Sequence, residues 1–592
     1  MKSFFKYTLA TMLGIFLISI LSLFIMGGIL SAIMASSQKE VVIKEHSMLE
    51  LKLSSQVVDR GPNDPFQDFN FPGFESYKRM GLDDIISAIE KAKDEENIHG
   101  IYLRIDQVMA GYSACEEIRT ALIDFKESGK FIYAYSEVYS QKAYYLASAA
   151  DKIFLNPEGM LMFTGLSAEP TFYKKGLEKL GVEMQVIRHG KFKAAVEPFL
   201  LDKMSDENRE QVEVYMGSIW NNILSGISKS RNISIEQLNQ IADKNMLFRT
   251  SNEIIETQLV DSILYEDQVL DFLRMKTGTK ADKGIPVVSV KDMKAVPAAK
   301  KSKGLAKNKI AIIYASGEIN LDGSIDDSES ISGRALAREL RKARTDSTIK
   351  AVVLRVNSPG GSSMASELIW REMKLMQETK PTVVSMGNLA ASGGYYIACP
   401  ADTIVANPST ITGSIGVFGL IPNLEKLFED KLGIHHDVVK TNALSDLPSM
   451  YRPMSTVEKA LMQNMVETTY KTFVQHVADG RNLSFEQVDA IGQGRVWTGE
   501  NALKLGLVDV LGDLDDALAI AAKMANLDDY RITKLPKQTD PIESLLKDFS
   551  TKMKERAIIN ELGSAAKYYT TLQQLKDKKE IMARMPYGLD LE

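Results

Sequence analysis

The stretch AYYLASAADKIFLNPEG at residues 143–159 returns in the second half of the chain as GYYIACPADTIVANPST at 394–410. A second pair, IHGIYLRID at 98–106 and IKAVVLRVN at 349–357, is separated by the same offset. Self-similarity at a constant spacing indicates two copies of one structural unit. We therefore expect the chain to fold as a tandem repeat.

Two later pairs extend the duplication toward the end of each copy. EQLNQIADKNM at 236–246 matches EQVDAIGQGRV at 486–496, and LVDSI at 259–263 matches LVDVL at 507–511. Their offsets differ from the first by only a few residues, as small loop insertions would produce.

Helical and strand patterns alternate within the second copy. The stretches 334–346 and 365–378 place apolar residues at helical spacing, with charges on the opposite face. Between and after them, 351–356, 382–387 and 403–408 are runs rich in β-branched residues, typical of buried strands. This alternation predicts an α/β fold with parallel strands and crossover helices.

The composition excludes several classes of protein. Hydrophobic residues make up 45% and charged residues 25%, which excludes a disordered, collagen-like or polytopic membrane protein. The net charge of −6 gives no reason to expect a nucleic-acid partner. The two cysteines, Cys115 and Cys399, provide no disulfide framework, and no histidine stands at ligand spacing from them. We therefore expect neither a metal site nor a cofactor.

The N-terminus carries a long apolar segment. Lys2 and Lys6 precede an uncharged stretch at 7–34, which as a helix would be about 40 Å long and exceed the membrane hydrocarbon core of about 30 Å. We expect an uncleaved single-pass anchor with a cytoplasmic N-terminus and the remaining mass of the chain outside the cytoplasm. A cleaved signal peptide is the alternative, because the small residues at 31–36 resemble a cleavage site.

A candidate nucleophile lies where the two copies differ. In GNLAASGGYYIA, at 387–398, a small-residue turn between a strand and a helix places Ser392 at or near a helix N-terminus. The matching position of the first copy is Gln141, with Lys142 in place of Gly393. The alternative is that these small residues only allow close packing of helix and strand.

A second loop is also specific to the second copy. NSPGGSS at 357–363 follows a predicted strand, whereas the first copy has DQVMA at 106–110. Proline fixes one φ and the two glycines free the next positions, so the loop could direct backbone N–H groups at an oxyanion. An ordinary tight turn is the alternative.

A serine nucleophile needs a base, and no histidine lies in any of these motifs. A lysine can serve if burial keeps it neutral. The candidates are Lys191 and Lys193 in RHGKFKAAVEPF, at 188–199; both would share one strand face if the strand before them continued. Spacing alone does not choose between them. In the second copy Ser445 aligns with Lys193.

Four ordered motifs, GNLAASGGYYIA, NSPGGS, NPSTITGSIGVFG and GKFKAAVEPF, make the chain resemble the long form of bacterial signal peptide peptidase A. The resemblance covers essentially the whole chain and implies a Clp protease/crotonase-like fold and a Ser/Lys serine protease. It implies Ser392 as nucleophile, Lys193 as general base and Ser414 as the residue that orients the lysine. It also implies an oxyanion loop containing Gly360 and Gly361, together with the Ser392 N–H.

The resemblance also implies hydrophobic peptide substrates, notably cleaved signal peptides, and a homotetramer anchored in the lipid of the cell inner membrane. Two other functions are weighed against it: a crotonase-like acyl-CoA enzyme and a non-catalytic membrane scaffold. A third alternative, in which one repeat supplies both catalytic groups, is disfavoured by Ser445 at the lysine-equivalent position.

These patterns predict six segments along the chain: a membrane anchor at 1–36, an N-terminal extension at 37–80, a first repeat with the lysine at 81–295, a linker at 296–309, a second repeat with the serine at 310–535, and a helical tail at 536–592.

Overall fold

The computed structural model describes residues 2–37, 41–62, 78–280, 283–297, 306–323, 330–538 and 582–584. Its first element is the helix α1 (Lys2–Ser37). Within it, Phe4–Ser22 has a mean hydropathy of 1.8 and does not pack inside the protein, so by length and composition it is able to cross a membrane.

The strands of the first half are 2 to 10 residues long and mostly buried on at least one face. They are β1 (Ser47–Leu51), β2 (Gln56–Val58), β3 (Arg79–Gly81), β4 (Ile98–Arg104), β5 (Phe131–Tyr139), β6 (Lys152–Leu161), β7 (Glu183–His189), β8 (Ser262–Ile263) and β9 (Val287–Ser289).

The strands of the second half, with one further strand near the C-terminus, are β10 (Lys309–Ser316), β11 (Glu318–Asn320), β12 (Ser330–Ser332), β13 (Ile349–Ser358), β14 (Gly360–Ser362), β15 (Thr382–Ala391), β16 (Thr403–Ala406), β17 (Ile411–Gly413), β18 (Val417–Asn423), β19 (Val496–Thr498), β20 (Val510–Leu511), β21 (Arg531–Leu535) and β22 (Met582–Arg584).

The helices after α1 alternate with these strands along the chain, and most of them bury apolar side chains. They are α2 (Leu82–Asp94), α3 (Tyr112–Lys126), α4 (Gln141–Ala147), α5 (Lys174–Lys179), α6 (Glu197–Leu200), α7 (Asp206–Arg231), α8 (Ile235–Asp243), α9 (Ser251–Glu256), α10 (Glu266–Thr277), α11 (Val290–Ala295), α12 (Gly333–Thr345), α13 (Ser363–Gln377), α14 (Gly393–Ala398), α15 (Thr456–Arg481), α16 (Phe485–Ile491), α17 (Gly499–Lys504) and α18 (Leu514–Met524).

Two sheets repeat one strand order, which confirms the expected tandem α/β fold. The first sheet runs β8–β6–β5–β4–β1–β9, and the second runs β20–β16–β15–β13–β10–β21. Both are built from parallel pairs such as β4 with β5 and β13 with β15. The chain therefore contains the same unit twice, each with its own buried core.

The structure differs from the predicted segment boundaries in two places. The first sheet already includes β1, the counterpart of β10, so the first unit begins well before the predicted residue 81. The predicted helical tail contributes the strand β22, and the rest of the tail from 539 onward lies outside the described residues. Part of the predicted linker, 298–305, also lies outside them.

A third sheet joins the two halves. Its order is β12–β11–β14–β22–β18–β7, so a strand of the first half closes a sheet that otherwise belongs to the second half and the tail. β7 pairs antiparallel with β18 along its whole length, from Glu183 opposite Asn423 to His189 opposite Val417. This pairing carries the chain that follows β7 toward the second unit.

A buried ion-pair network also crosses between the halves. Arg355 on β13 is almost completely buried and bonds Asp59 at 2.9 Å and Glu117 on α3 at 2.7 Å. Arg355 Nη1 donates a third hydrogen bond, to Ser385 Oγ at 2.9 Å. Residues of three separate chain segments are therefore fixed around one cation.

Candidate active site

Ser392 lies in the sharp turn between β15 and α14. Its backbone has φ +56° and ψ −115°, a strained conformation for a residue with a side chain. The small residues around it permit close packing: a Cβ on Gly394 would stand 2.7 Å from the Ser358 carbonyl oxygen. These small residues therefore permit the close packing of the turn against its neighbours.

Lys193 approaches this serine from the first half of the chain. β7 ends at His189, Gly190 turns the chain with φ +96°, and the Lys193 side chain becomes fully buried. Its Nζ lies 2.9 Å from Ser392 Oγ, 3.0 Å from Ser414 Oγ and 3.3 Å from the Ser414 carbonyl oxygen. The structure thus brings together the three side chains that the family resemblance implied.

Lys191 lies apart from this cluster. The strand does not continue past His189, so the two lysines do not share a face as the conditional prediction supposed. Lys191 is exposed, and its Nζ stands 5.3 Å from the centroid of the Phe192 ring.

The environment of Lys193 favours the neutral amine. Complete burial lowers the pKa of the Lys193 amine well below its ordinary value, because a charged ammonium loses its hydration there. The oxygens that Nζ contacts in the described chain belong to hydroxyl and carbonyl groups, which carry no net charge. A buried, uncharged amine beside a hydroxyl can accept the hydroxyl proton.

Residues 493–495, in the sequence QGR, lie against the segment that carries the lysine, a role that sequence reasoning missed. The Phe192 N–H donates to the Gln493 carbonyl at 3.0 Å, and the Ser414 N–H donates to the Arg495 carbonyl at 2.7 Å. Between them, Gly494 has φ +80°, and a Cβ there would stand 2.7 Å from Lys193 Cβ. Gly494 was the feature of the sequence from which this role could have been inferred.

Two of the N–H groups predicted to donate to the oxyanion already donate to other acceptors, which corrects that prediction. The Ser392 N–H donates to the Gly413 carbonyl at 2.8 Å, and the Gly360 N–H donates to Ser358 Oγ at 3.1 Å, so both are already engaged. Gly361 lies on β14, where a Cβ would stand 2.0 Å from the Ile319 carbonyl oxygen. The first turn of α14 offers another donor at Gly393, because initial helix N–H groups lack intrahelical partners.

The equivalent place in the first half is filled by an amide. Gln141 is buried, and its Oε1 accepts from the N–H groups of Thr164 and Gly165 at 3.1 and 3.0 Å. Its Nε2 donates to the Gly165 carbonyl and to Tyr112 Oη. In the first copy, the side chain at this position therefore holds the loop at 164–165 in place.

Comparison with known proteins agrees with the duplication. The model of peptidase family S49 matches residues 124–280 and 374–528, one stretch in each unit. The Clp protease model matches residues 301–410, a segment that includes Gly361 and Ser392.

Several named proteins match most of the chain. Protease 4 of Salmonella typhi is 41% identical over 460 residues, covering 76% of this chain and 73% of that protein. Protease 4 of Haemophilus influenzae is 34% identical over 521 residues, covering 86% and 83%. The serine protease SPPA, chloroplastic, of Arabidopsis thaliana is 34% identical over 471 residues, covering 79% and 69%.

Proposed function

The chain belongs to peptidase family S49 and is a serine protease, and from this premise we propose that it hydrolyses peptide bonds with a dyad of Ser392 and Lys193. The observation that carries the proposal is the 2.9 Å separation of Lys193 Nζ and Ser392 Oγ in a fully buried site. Ser414, whose hydroxyl lies 3.0 Å from the same amine, orients it.

The proposed reaction is acyl transfer. Neutral Lys193 takes the hydroxyl proton of Ser392 as Oγ attacks the carbonyl carbon of the peptide bond. The negative charge on the carbonyl oxygen is stabilised by backbone N–H groups, for which Gly361 and Gly393 are the proposed donors. The lysine ammonium then gives its proton to the leaving amine as the C–N bond breaks. Water, deprotonated by the same lysine, releases the acyl group.

Hydrophobic peptides, notably cleaved signal peptides, are the proposed substrates. The described surroundings of the site are apolar: Val196 and Phe418 lie in one buried cluster, and the Phe418 ring centroid is 6.0 Å from Lys193 Nζ. Anchoring by α1 would hold the site beside the bilayer, where such peptides are released. The homotetramer and the lack of a nucleic-acid partner stay predictions.

A serine-directed covalent inhibitor tests the dyad directly. We expect it to modify Ser392 in the full chain, as mapped by mass spectrometry of the modified peptide. Ser392→Ala and Lys193→Ala should each lower peptide hydrolysis at least about 1,000-fold, because nucleophile and base act as one unit. Lys191→Ala is the matched control and should keep most activity, since its amine is exposed and outside the cluster.

The outcomes separate the competing functions. Modification of another serine, or loss of activity in Lys191→Ala alone, would contradict the assigned dyad. A folded chain that neither reacts with the inhibitor nor hydrolyses peptides would instead fit the membrane scaffold. A crotonase-like acyl-CoA enzyme has no need for a lysine amine in hydrogen-bond contact with a serine hydroxyl.

A further inference from the structure

Helix α7 belongs to the first unit, but its N-terminal half lies against β19 of the second unit. Glu210 Oε1 lies 2.8 Å from Arg495 Nη2. Further along the helix, Ser218 Oγ lies 2.9 Å from Thr498 Oγ1. Between these two contacts the side chain of Gln211 is almost completely buried. A buried amide needs hydrogen-bond partners, so the partners of Gln211 indicate its role.

The amide of Gln211 connects the chain just before Lys193 to the second unit. Its Nε2 donates to the Phe192 carbonyl at 3.1 Å, and its Oε1 accepts from the Val496 N–H at 3.2 Å. Phe192 directly precedes Lys193, and Val496 is the first residue of β19. One side chain therefore holds the backbone next to the proposed base against a strand of the other unit.

That strand also supports the two serines of the site. Val496 pairs with Gly413, whose carbonyl accepts the Ser392 N–H at 2.8 Å. The neighbouring Arg495 carbonyl accepts the Ser414 N–H at 2.7 Å. A side chain that bonds both this strand and the segment of the lysine therefore sets the position of the amine relative to both hydroxyls.

A buried carboxylate fixes the orientation of the Gln211 amide. A carboxylate offers only acceptors, so Asn208 turns its Nδ2 toward Glu197 Oε2, at 2.9 Å. Asn208 Oδ1 is then left to accept from Gln211 Nε2, at 3.0 Å. All three side chains are buried. The relay of Glu197, Asn208 and Gln211 therefore has one direction, in which the Gln211 N–H groups face the lysine segment.

The second copy has a different residue in place of Gln211. The N-terminal caps of α7 and α15, Ser205 and Ser455, correspond to each other in the two copies. On this alignment the residue that corresponds to Gln211 is Leu461, which is 46% exposed. The buried amide is thus a feature of the copy that supplies the lysine, and the common fold of the two units does not require it.

We propose that Gln211 is a positioning residue, which holds the Lys193 amine in contact with the Ser392 hydroxyl across the boundary of the two units. It acts through the backbone of Phe192, and the carboxylate of Glu197 keeps its amide in the required orientation. This inference rests on the proposed function in taking Lys193 as the base.

The kinetics of Gln211→Met in the full chain test the proposal. Methionine has a similar length but lacks the amide donor and acceptor. We expect kcat toward a short peptide to fall about 10- to 100-fold, because a displacement near 1 Å is enough for such a loss. KM should stay near the wild-type value, since the position of the base acts on the transition state. Turnover is expressed per site titrated to completion with a serine-directed inhibitor, so that unfolded protein is not counted.

Gln475→Met is the matched control. Gln475 lies exposed on α15 and donates to Asp479 Oδ1 at 2.7 Å, so its loss should leave kcat unchanged. Gln211→Asn is a second variant, which keeps an amide in the buried place but is one methylene too short to bridge Phe192 and Val496. It should show the same selective loss of kcat. A wild-type kcat in either folded Gln211 variant would overturn the proposal.

Variants of Glu197 test the direction of the relay. Glu197→Gln keeps an oxygen that accepts from Asn208 Nδ2, so it should keep most of the wild-type kcat. Glu197→Met removes that acceptor and leaves the Asn208 amide free to turn, so kcat should fall as it does in Gln211→Met. Equal losses in the two Glu197 variants would overturn the assigned role of the carboxylate acceptor.

Hydrogen exchange followed by mass spectrometry measures the positioning without catalysis. In the Ser392→Ala background, Gln211→Met should speed amide exchange at 190–196 and at 495–498, one stretch in each unit. Gln475→Met should not. Unchanged exchange in both stretches would overturn the positioning role. Because this measurement needs no hydrolysis, a wild-type chain without peptidase activity would overturn the proposed function and leave the exchange result standing.

Discussion

Lys193 places a long basic side chain entirely out of contact with water. An ammonium in such a place would need a carboxylate partner, and the groups that its Nζ meets are hydroxyl and carbonyl oxygens instead. Burial of the Lys193 amine without a carboxylate partner therefore lowers its pKa and favours the uncharged form. A neutral lysine is the form that can act as a base, so the cost of burying this residue serves its proposed role.

The lowered pKa of Lys193 sets the direction of two pH effects. We expect kcat/KM to rise with pH as the amine loses its proton. Stability should rise as well: between the lowered pKa of the folded state and about 10.4 in the unfolded chain, the unfolded chain binds more protons. The melting temperature of Lys193→Met should exceed that of the wild type most at neutral pH, and the difference should shrink toward pH 10.

A pH–rate profile and melting curves from pH 6 to 10 measure both effects. Activity that falls steadily with rising pH over that range would contradict a neutral lysine base, as would a melting difference that grows.

Gly494 offers a test of how finely the lysine is positioned. Gly494→Ala would add a Cβ 2.7 Å from Lys193 Cβ at a backbone φ of +80°. We expect kcat/KM to fall at least about 100-fold, because a displacement near 1 Å is enough for such a loss. Gly506→Ala is the control: it has a similar φ of +73°, and its Cβ meets only Leu483 at 4.0 Å.

Gly506→Ala should lose stability through the same backbone strain and keep its activity. Equal kinetic losses in the two variants would show that strain alone, and not contact with the lysine, causes the effect.

Much of the site could be predicted at this scale, and the parts that could not have physical reasons. Ser392 was a candidate from the sequence because it lies in a small-residue turn between a strand and a helix, where the first copy has Gln141 instead. The choice of Lys193 over Lys191 required the resemblance, because it depends on where β7 ends and the chain turns at Gly190. The engaged Ser392 N–H was not foreseeable, because its acceptor, the Gly413 carbonyl, is set by tertiary packing.

At the scale of secondary-structure elements, the pairing of β7 with β18 determines whether Lys193 reaches Ser392. Their antiparallel pairing delivers the chain that ends in Lys193 to the edge of the second unit. The ion pairs of Arg355 with Asp59 and Glu117 connect the same two halves through other parts of the chain. Correct alignment of the copies is therefore secured by a strand pair and by a buried cation.

Arg355→Met tests the second of these connections. It leaves Asp59 and Glu117 buried without their cation, so we expect the free energy of unfolding to fall by about 3–5 kcal/mol. Arg334→Gln breaks an exposed pair with Asp322 and should cost at most about 1 kcal/mol. Urea unfolding followed by circular dichroism measures both; a similar small loss in the two variants would contradict the role of the network.

The alternating elements of the second copy were predictable because their periodicity is local. Helix α12 and strands β13 and β15 lie where the apolar spacing placed them, with ends shifted by a few residues. The short strands β1 and β22 escaped detection because a strand of three to five residues has little pattern of its own. Each becomes a strand by pairing with a partner distant in sequence.

At the scale of the whole molecule, the apolar segment of α1 does not pack inside the folded units. We expect the full chain to sediment with membranes and to resist extraction by high salt or alkaline carbonate, because the apolar segment is long enough to span the bilayer. A chain lacking residues 1–37 should remain in the soluble fraction and keep its activity toward a short peptide. Fractionation and immunoblotting measure this, and extraction of the full chain by carbonate alone would contradict anchoring.

The origin of the two proposed catalytic groups in separate halves of one polypeptide has a genetic consequence. Because β7 delivers the amine to the hydroxyl of the same chain, a defect in either group acts in cis. A cell that carries one allele lacking the serine hydroxyl and another lacking the lysine amine makes two kinds of inactive site. Mixing the two gene products should not restore the protease activity. An enzyme with one group on each of two neighbouring chains would regain some function in that cross.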